Sequence, residues 1–169
     1  RPCAGDRALG ARVLAVAHAA AYEQGAPPPE RLHHIRMRMQ NELARERREG
    51  DACRYDLKLG EGGIVDVEFA VQWLQMKYGR DKRVRTPETR GAILALEACG
   101  YLDSGSAGTL REGYRFLRRL EQRLRVLHGT SVQLIEQGAP GLPPLARRMG
   151  MRDGPERTAA EALLAQYQA

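Results

Sequence analysis

Aromatic residues make up only 5% of this 169-residue chain. Its packing must therefore rest on Leu, Val, Ala and Met. Lysine is almost absent, with three lysines against 24 arginines. A net charge of +6 invites a nucleic-acid reading. The arginine bias beside abundant Ala and Gly reflects a GC-rich coding sequence instead, and no aromatic interleaving offers bases a stacking platform. Three cysteines, Cys3, Cys53 and Cys99, show no C-x-x-C spacing and are odd in number, which argues for free thiols in a reducing cytoplasm. The four histidines form no metal-ligand pattern. The longest apolar stretch, Val13 to Tyr22, is alanine-rich, broken by His18 and too short to span a bilayer. No signal peptide is visible, so the expectation is a cytoplasmic chain with no membrane or nucleic-acid partner. The sequence opens Arg1-Pro2-Cys3 without an initiator methionine and reads as a piece of something longer.

What is present is helix punctuation. Asp6 is placed to cap a helix from Ala8 to about Glu23, ended by Gly25 and Pro27 to Pro29. Pro29 opens a second, from Glu30 to about Arg48, with Leu32, Ile35, Met37, Met39 and Leu43 as its apolar positions and Gly50 closing it. Residues 51 to 63 are a loop, with a short extended piece allowed at Tyr55 to Leu59. A densely apolar helix from Ile64 to about Tyr78 follows. Its Trp73, among Val67, Ala70, Val71 and Leu74, reads as core.

Beyond a basic loop at residues 80 to 86, Thr86 as N-cap and Pro87 at the first helical position start a helix that ends near Cys99 and Gly100. From about Ser106 to His128, Leu110, Tyr114, Leu117, Leu120, Leu124 and Leu127 form one seam. The arginines of that helix, from Arg111 to Arg125, read as a solvated face. Short helices at Leu145 to Met149 and Pro155 to Tyr167 complete the chain. The expectation is an all-α bundle of about six or seven helices over residues 8–169, with residues 1–7 an arm from an upstream domain.

The densest information lies at residues 56 to 72. Lys58 stands before the glycine turn Gly60-Glu61-Gly62-Gly63, and a helix with acidic Asp66 and Glu68 follows. Backbone N–H groups at Gly62, Gly63 and Ile64, with Lys58 beside them, make a set that can hold a phosphate. The alternative is a tight entry to a buried helix, with Lys58 paired to Asp56 or Glu61. The G-x-x-x-x-G-K-[ST] order of a P-loop is absent. Asp66 and Glu68 point roughly 200° apart on a helix and cannot share one metal unaided. Their bland roles are a helix-dipole partner and a salt bridge to Arg36 or Arg38. No nucleophile–base arrangement and no D-x-D carboxylate pair is present, so neither catalytic nor metal-binding residues are expected in this chain.

Asp56-Leu57-Lys58, then Gly62-Gly63-Ile64-Val65-Asp66-Val67-Glu68-Phe69-Ala70-Val71-Gln72, resembles the bacterial glutamine synthetase adenylyltransferase family at every informative position. Arg36-Met37-Arg38 ahead of the motif, Thr89 to Leu102, and Tyr114-Arg115-Phe116-Leu117-Arg118-Arg119-Leu120-Glu121 extend the resemblance over most of the chain. It implies a helical domain that follows a nucleotidyltransferase core and closes over that core's nucleotide. The parent transfers AMP from ATP, with magnesium, to a tyrosine of glutamine synthetase and also removes it. The isolated domain is expected to be inactive and to bind no cofactor itself. Val65-Asp66 leans toward the C-terminal, adenylylating half. Lys58, Gly62 and Gly63 become phosphate-contact candidates; Asp56, Asp66, Glu68, Arg36 and Arg38 become candidates for ordering the loop or an interface. One alternative is a non-catalytic docking module for glutamine synthetase or the PII signal protein. A second is the helical domain of the related PII uridylyltransferase, whose motif fits less well.

Overall fold

The computed structural model describes residues 3–46, 53–129 and 132–169. Gly50, expected to close the second helix, and the first two residues of the 51–63 loop lie outside them. Among the described residues the chain forms seven α-helices: α1 (Arg7–Tyr22), α2 (Pro29–Leu43), α3 (Ile64–Lys77), α4 (Thr89–Ala98), α5 (Ser104–His128), α6 (Leu142–Arg148) and α7 (Ala159–Gln168). Two short strands, β1 (Arg54–Asp56) and β2 (Leu134–Glu136), pair antiparallel with Tyr55 opposite Ile135. The fold is all-α.

The chain divides into two compact units. The first comprises Arg1–Ile35 and Glu68–Arg111. Here Ala92, Ile93 and Leu96 of α4 are fully buried, together with Val84 of a 3-10 turn at Lys82–Val84. Gln75 fixes that turn by donating to the carbonyls of Val84 at 2.7 Å and Thr86 at 2.8 Å. Thr86 and Pro87 consequently stay outside the helix. Glu88 is the N-cap of α4, its carboxylate accepting the Arg90 and Gly91 N–H groups, which moves the start two residues beyond the Thr86 expected from sequence. Gly100, at φ 75°, ends α4 as expected.

Trp73 is half-buried rather than core: its indole N–H donates to the Pro27 carbonyl at 2.8 Å, and the Lys77 ammonium lies 4.9 Å from its ring centroid. The inward face of α3 runs instead through Ile64, Val67, Val71 and Gln75.

The second unit comprises Arg36–Val67 and Glu112–Ala169. Tyr114, Leu117, Leu120 and Leu124 of α5 form the buried seam that their spacing predicts. Leu145, Ala146 and Leu163 tie α6 to α7. Helix α7 starts later than Pro155, because Thr158 and Glu161 form a reciprocal capping box there. Helix α6 starts earlier, at Leu142, with prolines at its first positions.

Two expectations about α2 fail together. Ile35 is 44% and Leu43 is 56% exposed, and Met37 and Met39 are half-buried; the buried residue of the helix is Arg36. The helix also ends at Leu43 rather than near Arg48, because Arg45 and Glu46 are engaged by the turn that follows.

Candidate functional site

The turn between β1 and α3 is built from the second unit alone. It begins at Asp56, which is 3% exposed. One carboxylate oxygen accepts the N–H groups of Lys58 and Leu59, each at 3.0 Å, and the other accepts the Arg45 N–H at 3.3 Å. This Asx turn reverses the chain while Leu57 is fully buried beneath it. With Leu57 inside and its neighbour outside, Lys58 is exposed at the tip. Its ammonium forms no ion pair with Asp56 or any other described residue.

The loop then closes on itself. The Gly63 N–H donates to the Gly60 carbonyl at 3.1 Å, Ile64 to Leu57 at 2.9 Å and Val65 to Lys58 at 3.1 Å. The first donors of α3 are thus satisfied by the preceding turn. Gly62 has φ 70°, which favours glycine. Gly63 is required for a different reason: a Cβ there would lie 2.9 Å from the Gly60 and Lys58 carbonyl oxygens and 3.0 Å from that of Leu57. Gly63 and Ile64 therefore do not present an open pair of amides to an anion. Lys58, with exposed Gly62 near it, is the group the loop turns outward.

Arg36 holds this arrangement from α2. Its guanidinium pairs with Asp66: Nη2 donates to one carboxylate oxygen at 2.9 Å, and Nε lies 2.5 Å from the other without hydrogen-bond alignment. Nη2 also donates to the carbonyls of Gly60 at 2.8 Å and Leu59 at 3.1 Å. A buried cation is tolerated only with such partners. Asp66, at the start of α3, also suits the positive end of the helix dipole.

Glu46 gives a further carboxylate to the loop, accepting the N–H groups of Asp56 at 3.4 Å and Glu61 at 3.3 Å. A Cβ on Gly60 would collide with that carboxylate, so Gly60 leaves room for it. Nothing in the motif signals Glu46, which lies outside it and reaches the loop only through the end of α2.

The structure thus gathers Arg36, Asp56, Lys58, Gly62, Gly63 and Asp66 at one turn. Arg38 stands apart, exposed and paired with Glu42 at 3.1 Å one helical turn along. Glu68 is half-buried further along α3. Among the described residues no three His, Cys, Asp or Glu side chains gather as a metal site requires, and no helix is long and apolar enough to cross a membrane.

The family described as GlnD PII-uridylyltransferase matches residues 33–169, which includes the whole turn. Curated relatives bear the name bifunctional glutamine synthetase adenylyltransferase/adenylyl-removing enzyme. That of Cutibacterium acnes is 34% identical over 161 residues, 92% of this chain and 16% of the relative. That of Streptomyces coelicolor is 37% identical over 161 residues, 92% of this chain and 15% of the relative. That of Xanthomonas campestris is 33% identical over 153 residues, 89% of this chain and 16% of the relative. The chain spans about one sixth of the length of these proteins. A self-closing glycine turn held by Arg36 and Asp66, within a match that covers most of the chain, places this chain in the GlnD PII-uridylyltransferase family, with bifunctional glutamine synthetase adenylyltransferase/adenylyl-removing enzymes as its relatives.

Proposed function

We propose that this chain is a helical domain, residues 8–169 with 1–7 as its connecting arm, of a cytoplasmic glutamine synthetase adenylyltransferase/adenylyl-removing enzyme. In this reading it closes over the nucleotide site of a separate nucleotidyltransferase core. That core supplies the metal-binding carboxylates, takes ATP with magnesium, and transfers AMP to a tyrosine of glutamine synthetase. The names of the curated relatives support the parent activity, and Val65-Asp66 favours its adenylylating half. The observation that carries the role of the turn is Lys58: an exposed ammonium, without an ion pair among the described residues, on a loop whose Gly60, Gly63, Ile64 and Val65 amides are bonded to carbonyls of the same turn. A cation placed there stabilises charge developing on a phosphate.

The test is kinetic. Lys58→Ala in the parent enzyme should lower turnover by roughly 10²–10³-fold, the range for loss of one electrostatic stabiliser. Lys58→Arg should rescue it only in part, because a planar fork replaces a compact charge. The isolated chain should transfer no AMP. It should melt within about 2 °C of wild type when it carries Lys58→Ala, as surface changes cost little. Unchanged turnover in the parent would remove Lys58 from the chemistry.

A second reading follows from α5, where Arg115, Arg119 and Arg123 are exposed at four-residue steps. This basic stripe fits a docking face for an acidic protein surface, glutamine synthetase or the PII protein being the candidates. Loss of glutamine synthetase binding on charge reversal at Arg119 and Arg123, with turnover on a small substrate intact, would favour it.

A further inference from the structure

Helix α1 is well formed and almost uncovered. Asp6 caps it, accepting the Leu9 N–H at 2.8 Å, yet none of its 16 residues is buried. Leu9 is 57%, Val13 59% and Val16 71% exposed, at a spacing that sets them on one face. The composition of the helix contradicts that environment. Its sequence, RALGARVLAVAHAAAY, carries two charges, Arg7 and Arg12, and is otherwise Ala, Val and Leu with single Gly, His and Tyr residues. A helix apolar on all sides is a buried helix. A soluble protein rarely leaves such a surface open. At 16 residues, α1 is also near the length at which a helix without tertiary cover is marginal in water. A shallow cavity at its start, lined by Ala4, Gly5, Leu9, Val13 and Leu14, leaves room for side chains from elsewhere.

We infer that the Leu9–Val13–Val16 face of α1 is a docking surface for another part of the same polypeptide. The occupant is an apolar element with acidic residues at its rim. The length of the relatives supplies the argument for a cover in cis: the alignments take in 92% of this chain but only 15–16% of each relative, so more than four fifths of the parent lies outside this structure. The many alanines allow close approach of that element. Arg7 and Arg12, with no acidic residue on the helix, call for carboxylates opposite. The inference rests on the parent assignment above but not on the role of Lys58.

Amide hydrogen exchange on the isolated chain and on the intact parent decides it. Amides of α1 should exchange fast in the isolated chain and on the order of 100-fold slower in the parent, while α4 is protected in both. A Val13→Asp/Val16→Asp variant should leave melting of the isolated chain within about 1 °C of wild type, because both side chains are largely exposed among the described residues. In the parent it should abolish the protection of α1. Equal, fast exchange of α1 in both wild-type proteins would overturn the inference. Protection of α1 already present in the isolated chain would overturn it too, a second copy being the cover if protection rises with concentration. The wild-type comparison decides even where the parent variant fails to fold. Lost turnover on Lys58→Ala with α1 equally exposed in both proteins would sink this inference alone; protected α1 with intact turnover would sink only the phosphate role.

Discussion

Arg36→Met tests whether the glycine turn is held from α2. Methionine keeps the length and volume of the side chain and removes every donor. The change removes the ion pair to Asp66 and leaves the carbonyls of Gly60 and Leu59 without the Arg36 donor. Hydrogen bonds to a charged group contribute about 1.5–3 kcal/mol each, and breaking a buried ion pair costs about 3–5 kcal/mol. The Asp66 side chain is 35% exposed and can rehydrate, which places the net loss near the lower end, about 3 kcal/mol. For a chain of this size each kcal/mol shifts Tm by about 2–4 °C, so melting should fall by roughly 6–12 °C. Circular dichroism at 222 nm during heating reads this directly. Arg36→Lys should recover only part of the loss, because a compact ammonium does not reproduce the reach and planar geometry of the guanidinium. With Asp66→Asn the double-mutant cycle should show coupling of at least about 1 kcal/mol. A melting point for Arg36→Met within about 2 °C of wild type, or additive losses in the cycle, would refute the argument.

Gly63→Ala should destabilise the chain by about 1–3 kcal/mol in urea titrations, since the added methyl meets three backbone oxygens that cannot rotate away; a neutral result would mean the turn opens readily. Trp73→Ala should cost about 2–3 kcal/mol, below the range for a fully buried tryptophan, because the ring is only half-buried; Trp73→Phe should still lose the bond to the Pro27 carbonyl, and fluorescence-independent melts on both variants check the pair. Stability should also fall in acid. The Ala159 N–H and then Arg147 hold the Asp153 carboxyl below its ordinary range, and the Thr158 backbone N–H does the same for Glu161. Both pKa values are lower folded than unfolded, so their contribution is present above the ordinary carboxyl values and is lost as pH drops through the folded ones. The urea midpoint should hold from pH 7 to about 5 and then decline, least steeply in an Asp153→Asn/Glu161→Gln variant; identical profiles for variant and wild type would contradict this.

The sequence revealed whatever is decided locally. Asp6, Gly100 and Gly129 mark helix ends because a cap or a left-handed residue acts within one turn. The α5 seam was legible because 25 consecutive helical residues repeat one pattern. The family motif gathered the residues of the turn. What local reading missed depends on partners distant in sequence. Strand β2 is three residues long and exists through its pairing with β1. Thr86 lost its capping role to Glu88 because Gln75, eleven residues earlier, captures its carbonyl. Arg36 is legible from sequence as a candidate ion-pair partner for α3, but that it pairs with Asp66 rather than Glu68, and that it is buried, is explained only by the carbonyls and carboxylate it meets from residues 59 to 66. The composition of the glycine turn suits an anion and equally a tight entry to a buried helix. The Gly63 and Ile64 amides are bonded to carbonyls whose positions no spacing rule conveys.

The small sheet bears on the order in which the molecule assembles. Cys53 and Leu57 flank β1, and each is bonded to the flank of the other strand: the Cys53 carbonyl accepts the Gln137 N–H, and the Leu57 N–H donates to the Gln133 carbonyl, each at 2.8 Å. The turn carrying Lys58 is therefore anchored to chain almost 80 residues further on. Closing a loop of that length costs roughly 4 kcal/mol of chain entropy before any contact repays it. Such non-local pairings form late, after helices that need only their neighbours. The Lys58 turn should thus be among the last parts to reach its native shape, maturing when α6 and α7 have brought residues 133–137 into place. A nascent chain would hold most of its helices before it held its candidate site.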